Sequence, residues 1–104
     1  MSNVPIPYRH ALVTGASSGI GEAICYALDD CGIKRITLVA RNKERLNRVA
    51  ANLKCTAQIM CADLTKTTGL EAVAEALDGV DLLINNAGIG SFGPFTHVST
   101  EQHT

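Results

Sequence analysis

The sequence predicts an α/β domain whose parallel sheet is doubly wound, with helices on both of its faces. Short apolar runs rich in β-branched residues alternate with segments in which apolar residues recur at a helical period. The connections between them are short, as right-handed β-α-β crossovers require. A glycine-rich segment also follows the first apolar run directly. We therefore expect a sheet with strand order 3-2-1-4.

Composition limits the classes of partner. The chain has 104 residues, 46% hydrophobic and 18% charged, which fits a single domain over residues 1–104. The net charge is −1 and the basic residues are scattered, so neither a nucleic acid nor an anionic membrane is an expected partner. The N-terminus lacks a signal-peptide pattern, which predicts a cytoplasmic location. The spacing of the four cysteines fits no zinc motif, so no metal site is expected.

The first two units are read from apolar spacing. Strand 1 begins at residues 11–13, and strand 2 is the β-branched run at 36–39. Asn42 is the expected N-cap of helix 2. Helix 1 ends near Gly32. Helical spacing relates two sets of residues, Ile20, Ile24, Ala27 and Leu28 in helix 1, and Leu46, Val49, Ala50 and Leu53 in helix 2.

The third unit and the fourth strand complete the pattern. Strand 3 is predicted at residues 57–60 and strand 4 at 81–85, and Thr68 with Glu71 has the spacing of a capping box for helix 3. The expected apolar stripe of helix 3 is Leu70, Val73, Ala74 and Leu77. The winding reverses between strands 1 and 4, and a ligand crevice is expected beyond their carboxyl ends.

The glycine-rich segment, TGASSGIG at residues 14–21, lies at that crevice. Gly15, Gly19 and Gly21 allow a sharp turn, a close approach to an anion, and tight packing of the following helix. The helix N-terminus presents unpaired N–H donors and a partial positive charge. A dinucleotide phosphate is the ligand that such a loop favours.

Three motifs in order resemble the short-chain dehydrogenase/reductase family, in its simple branch, over residues 9–104. They are TGxxxGxG at 14–21, an acidic residue (Asp63) after strand 3, and NNAG at 85–88 after strand 4. The resemblance implies a Rossmann-like fold that binds a nicotinamide dinucleotide.

The resemblance also implies individual roles. Asp63 and Leu64 would contact the adenine, whereas Asn85 is expected to tie adjacent strands together rather than to touch ligand. The ribose would be lined by Asn86, Ala87 and Gly88. The adenosine side and the pyrophosphate would be held by Gly15, Ser17, Ser18, Gly19, Ile20 and Gly21, with Ile20 reaching toward the nicotinamide.

The residue after strand 2 predicts the choice of cofactor. NAD enzymes of this fold commonly carry a carboxylate there, whereas this chain has Arg41. A guanidinium can bind a 2′-phosphate through charge-assisted hydrogen bonds, so NADP(H) is favoured over NAD(H), with help from Ser17 or Asn42. The alternative is that Arg41 is a solvated cation beside helix 2. Ser18 stands where the family often has a second basic residue.

The family interconverts a carbonyl and an alcohol by hydride transfer, using a tyrosine, a lysine four residues later, a serine and an asparagine. Here Tyr8 and Tyr26 are followed four residues later by Leu12 and Asp30. No catalytic residue is therefore assigned, the family's set being expected beyond Thr104. Whether this chain is itself an enzyme stays open.

The end of the chain gives two further expectations. Ser99 and Gln102 have capping-box spacing, which predicts a helix beginning near Ser99 and continuing past the end. Strand 4 would then be an uncovered apolar edge that invites self-association. We thus expect the cofactor-binding half of a larger domain, which could act on a small carbonyl or alcohol only with its other half. The alternatives are a non-catalytic dinucleotide-binding or interaction module and an inactive truncated fragment.

Overall fold

The computed structural model describes residues 7–86 and 97–99. Strands and helices alternate as the apolar periods predict. In chain order the elements are β1 (His10–Thr14), α1 (Gly19–Asp30), β2 (Arg35–Ala40), α2 (Lys43–Ala51), β3 (Thr56–Cys61), α3 (Thr67–Ala76), β4 (Leu82–Asn85) and β5 (His97–Ser99).

The sheet is parallel, with strand order β3-β2-β1-β4-β5. The predicted order 3-2-1-4 is confirmed. At the carboxyl end of β1, Thr14 is paired with Val39 of β2 and with Asn85 of β4. The three strands thus end at the same level, and the loops that follow them lie together above this edge of the sheet.

The expectation of an uncovered strand-4 edge is wrong. Residues 83–85 of β4 pair in parallel with His97–Ser99, so the chain returns after β4 and satisfies its backbone groups. Self-association through that edge therefore loses its basis. Ser99 is the last residue of β5, and the remainder of the helix predicted from Ser99 falls on residues 100–104, outside the described part of the chain.

Both faces of the sheet are covered, as predicted. Alternate residues of a strand point to opposite faces, and β1 illustrates this. Ala11 and Val13 pack with Cys25 of α1 and Leu46 of α2, whereas Leu12 packs on the other face, among residues that include Val73 of α3. β1 is thus buried between the two cores, and its carboxyl end positions the loop that follows.

The helix starts test the capping predictions. Asn42 caps α2 as expected, since its Oδ1 accepts from the backbone N–H of Arg45 at 3.0 Å. The capping box at Thr68 is wrong, because α3 already begins at Thr67 after Lys66, whose side chain makes no capping bond. At this start, the Lys66 N–H donates to the Asp63 carbonyl at 3.1 Å, and Gly69 packs against the same carbonyl, where a Cβ would lie 2.0 Å from the oxygen.

The predicted apolar stripes are partly confirmed. Within α3, Val73 and Leu77 are buried, Leu70 is half-buried and Ala74 is exposed, so the buried face is rotated toward Gly69. Ala27 of α1 is likewise exposed.

The four cysteines, Cys25, Cys31, Cys55 and Cys61, are free thiols. In residues 7–86 and 97–99 no three His, Cys, Asp or Glu side chains form a group that could hold a metal ion. Over the same residues, no helix has the length and apolar character needed to cross a membrane. The absence of a metal stays a prediction.

Candidate functional site

A cleft of about 890 Å³ opens above the carboxyl ends of β1, β2 and β3. Its walls come from the loops that follow these three strands. The lining residues are Gly15, Ser17, Ala40, Arg41, Asn42, Lys43, Glu44, Ala62, Asp63, Leu64 and Thr65.

The glycine loop borders this cleft, which Gly15 and Ser17 line. Gly15 has φ of +66°, a conformation that side chains with a Cβ rarely adopt. A Cβ on Gly21 would lie 2.0 Å from the Gly15 carbonyl oxygen, so only glycine lets α1 pack directly on the loop. By contrast, a Cβ on Gly19 would meet no protein atom within 4 Å. The space over Gly19 is thus available to a ligand.

The N-terminus of α1 is open. Ser18 is its N-cap residue, but the Ser18 side chain makes no capping bond and donates to the Gly15 carbonyl at 2.9 Å instead. The first helical bond runs from the Glu22 N–H to the Ser18 carbonyl at 2.7 Å. The N–H groups at positions 19–21 therefore find no acceptor among the described residues. Such donors, with the helix dipole behind them, form a site for an anion.

Arg41 leaves β2 at the edge of the cleft. Its side chain is exposed, and its carbonyl accepts from the Cys61 thiol of β3 at 3.1 Å. Lys43 and the carboxylates Glu44 and Asp63 also line the cleft. The residue directly after β2 is thus a cation, and the acidic side chain on α2 stands three positions further on.

Asp63 also lines the cleft and lies in a local turn after β3. Its Oδ1 accepts from the Thr65 hydroxyl at 2.6 Å and from the Thr65 N–H at 3.0 Å. These two bonds, together with the positive charges of Arg41 and Lys66, hold the pKa of Asp63 below its ordinary value. Oδ2 accepts no bond from the described residues, so this lining residue has an acceptor oxygen left for a ligand. Leu64 is half-buried against the α3 side of the core.

The two asparagines after β4 have different surroundings. Asn85 is buried and accepts through Oδ1 from the Thr14 hydroxyl at 3.1 Å, which confirms that it ties adjacent strands together. Asn86 donates through Nδ2 to the Gly15 carbonyl at 3.2 Å and to the Ser18 hydroxyl at 3.4 Å. The sequence predicted a ribose contact for Asn86 and missed this contact with the glycine loop.

Most of the predicted site residues come together. Six of them line the cleft, and the neighbouring α1 N-terminus carries Ser18, Gly19, Gly21 and Ile20, whose side chain is 62% exposed. Ala87 and Gly88 fall outside the described residues. The sequence did not predict the five other lining residues, although their places at or just beyond the ends of strands 2 and 3 were a usable signal: Ala40, Lys43, Glu44, Ala62 and Thr65.

Comparison with known proteins identifies the protein family. A family model described as short chain dehydrogenase matches residues 9–104. The chain belongs to the short-chain dehydrogenase family. An oxidoreductase of Staphylococcus epidermidis is 41% identical over 96 residues, covering 88% of this chain and 41% of that protein. L-xylulose reductase of Bos taurus is 35% identical over 95 residues, covering 91% of this chain and 38% of that protein.

Solved structures agree with this assignment. L-sorbose reductase from Gluconobacter frateurii, complexed with NADPH and L-sorbose, superposes with a TM-score of 0.72 at 34% identity, covering 86% of this chain and 37% of that one. The bulky-bulky ketone specific alcohol dehydrogenase from Comamonas testosteroni has a TM-score of 0.68 at 37% identity, covering 90% and 40%. The chain thus spans about two-fifths of the length of its relatives, and it contains the part of the family fold that binds a nicotinamide dinucleotide.

Proposed function

We propose that this chain is the NADP(H)-binding part of an oxidoreductase that interconverts a carbonyl and an alcohol by hydride transfer. One observation carries the proposal. Arg41 borders the same cleft as Gly15 and Ser17, next to the open N-terminus of α1. One region thus offers donors for a pyrophosphate and a cation for a second phosphate. The relatives named as oxidoreductases and reductases favour this role over a non-catalytic module.

The pyrophosphate would lie over the first turn of α1. The N–H groups of Gly19, Ile20 and Gly21 are available there, and a Cβ-free surface at Gly19 permits close approach. Ser17 and Ser18 flank these donors. Backbone N–H groups at a helix N-terminus bind phosphate without a charged side chain, which explains how the loop can bind the pyrophosphate although it carries no lysine or arginine.

The 2′-phosphate would bind Arg41, with Ser17 and Asn42 beside it. Because Oδ1 of Asn42 is engaged in capping α2, its amide nitrogen is the atom left to donate. A charge-assisted hydrogen bond contributes about 1.5–3 kcal/mol, so Arg41 would favour NADPH over NADH roughly ten- to a hundredfold. The negative charge of Glu44 opposes this preference. Glu44 stands in the first turn of α2, where the helix dipole stabilises a carboxylate.

The two ends of the cofactor have separate surroundings. The ionised Oδ2 of Asp63 can accept from the adenine amino group, and Leu64 provides an apolar neighbour. Ile20, exposed in the first turn of α1, would reach toward the nicotinamide, and Asn86, Ala87 and Gly88 would lie along the ribose next to that ring. When bound, the nicotinamide ring supplies or accepts the hydride, while the residues of this chain bind and orient the dinucleotide. We assign no catalytic side chain within the chain.

The substrate we propose is a small carbonyl compound or the corresponding alcohol, in line with the reductases of L-xylulose and L-sorbose among the relatives. We also propose a cytoplasmic location, because all four thiols are free and unpaired cysteines are typical of a reducing compartment.

Thermal unfolding tests binding directly. At equal concentrations, NADPH should raise the melting temperature of the chain, and NADH should raise it less, since a ligand stabilises the fold according to its concentration relative to its Kd. Equal shifts would contradict the 2′-phosphate role of Arg41. No shift with either dinucleotide would contradict the proposed function as a whole.

A further inference from the structure

Three donors converge on one oxygen in the glycine loop. The Gly15 carbonyl accepts from the Ser18 N–H at 3.3 Å, from the Ser18 hydroxyl at 2.9 Å and from the Asn86 amide at 3.2 Å. On the other side of the same peptide, the Ala16 N–H donates to the Val39 carbonyl at 3.1 Å. The peptide between residues 15 and 16 is thus bound to β2 at one end and to the residue after β4 at the other.

This arrangement decides what Ser18 can do. A serine at an N-cap ordinarily accepts from an N–H of the first helical turn, and that bond would consume a donor that an anion needs. Here the Ser18 hydroxyl donates to Gly15 instead, and it lies 3.4 Å from the Asn86 nitrogen, whose N–H can only donate to it. Both contacts hold the hydroxyl oxygen away from the helix, so the first turn of α1 stays uncapped.

We propose that Asn86 is a positioning residue for the pyrophosphate site. Its amide fixes the Gly15 carbonyl and the Ser18 hydroxyl, and thereby keeps the N–H groups of residues 19–21 available. Without this amide, the Gly15 carbonyl loses one of its three donors, and the Ser18 hydroxyl loses the neighbour that holds it away from its own helix. The inference rests on the proposed function, and it assigns Asn86 an action through the loop in addition to a ribose contact.

Binding of two ligands distinguishes a local effect on the pyrophosphate site from a general loss of the folded structure. NADPH spans the loop, whereas adenosine 2′-monophosphate has no pyrophosphate and is expected to contact only the Arg41 and Asp63 side of the cleft. In the full chain, Asn86→Ala should lower the affinity for NADPH about three- to tenfold, which is the effect of losing one neutral hydrogen bond. The affinity for adenosine 2′-monophosphate should stay unchanged. The matched control is Asn52→Ala, because the Asn52 amide donates to Arg48 and Tyr26 far along α1 and α2. This control should bind both ligands as the wild type does.

Calorimetric titration of NADPH and NMR titration of adenosine 2′-monophosphate give the affinities. Unchanged NADPH affinity in Asn86→Ala, or a proportional loss for both ligands, would overturn the inference. If Asn86→Ala does not fold, Asn86→Ser, which keeps a polar side chain but also lacks the amide, should give the same selective loss. If the wild type binds both ligands and neither variant loses NADPH affinity selectively, the positioning role is wrong but the proposed function stands. Failure of the wild type to bind NADPH would overturn the proposed function and this inference with it.

Discussion

The α-carbon of Gly21 lies against the carbonyl oxygen of Gly15, so closely that a Cβ at position 21 would fall 2.0 Å from that oxygen and 2.9 Å from the Asn86 amide nitrogen. The first turn of α1 therefore packs on the loop that leaves β1. Two residues earlier, the surface at Gly19 is open. The two glycines serve different purposes, one in packing and one in leaving room for ligand.

Gly21→Ala should destabilise the chain and abolish NADPH binding. The added methyl group meets backbone atoms, which cannot yield as a flexible side chain can, and overpacking of this kind costs about 1–3 kcal/mol or more. Urea unfolding measures the loss of stability. A variant as stable as the wild type would show that α1 can move away from the loop at little cost.

Gly19→Ala should leave stability unchanged or raise it slightly, because the site is open and alanine is the better helix former. The methyl group would, however, stand where the pyrophosphate is expected. We predict at least a tenfold loss of NADPH affinity at a wild-type melting temperature, measured by titration and thermal unfolding of the same sample. Retained affinity would place the pyrophosphate elsewhere.

Local pattern predicted the elements well, because their causes are local. The β-branched run of β2 and the Asn42 cap depend on neighbouring residues in sequence, and both are confirmed. At the start of α3, by contrast, Gly69 packs against the Asp63 carbonyl six residues back, and the helix begins at Thr67 rather than after a cap at Thr68. The spacing of apolar residues in the sequence gives no information about such a contact.

Thr14→Val should destabilise the chain by about 1–3 kcal/mol. Valine has nearly the same shape but cannot donate to the buried Oδ1 of Asn85, 3.1 Å from the Thr14 hydroxyl. Urea denaturation gives the difference, with Thr56→Val at an exposed position of β3 as the control, expected within about 0.5 kcal/mol of the wild type. Equal effects of the two substitutions would mean that the Thr14 bond does not stabilise the sheet.

The sequence predicted those site residues whose place follows from their type and their position after a strand. It did not predict the roles that depend on contacts between separate loops. Arg41 and Asp63 directly follow strands, so their place at the carboxyl edge followed from the winding. The bond from Asn86 to Gly15 joins residues 71 positions apart, and the Ser18 hydroxyl turns to the loop rather than to its own helix. Both depend on how β4 and α1 meet in space.

Asp81 should make the fold sensitive to acid. Its burial raises the pKa, but bonds from the His10 and Arg9 N–H groups, at 2.9 and 3.0 Å, outweigh burial and hold the pKa below its ordinary value. A lowered carboxyl pKa adds stability above the unfolded-state value, and this contribution is lost as the pH falls through the folded-state value. Stability should thus decline below about pH 5.

Asp81→Asn removes this titration. At pH 7 the variant should be less stable by about 1 kcal/mol, a figure that allows for the solvent near this side chain, and its stability should fall less steeply toward pH 3. Asp78→Asn, at an exposed position three residues earlier, is the control and should keep the wild-type slope. The measurement is the free energy of unfolding in urea from pH 3 to pH 7. A wild-type slope in Asp81→Asn would refute the assignment.

The most direct test of the NADP(H) site is the ratio of the Kd for NADH to the Kd for NADPH, measured by calorimetric titration of the wild type and of Arg41→Asp. Arg35→Asp makes the same charge change at the opposite end of β2 and should leave the ratio unchanged. We predict a wild-type ratio of about ten or more, and a ratio below one in Arg41→Asp, because a carboxylate repels the 2′-phosphate and accepts from the ribose hydroxyls. A wild-type ratio near one, or a ratio that Arg41→Asp does not change, would contradict this account.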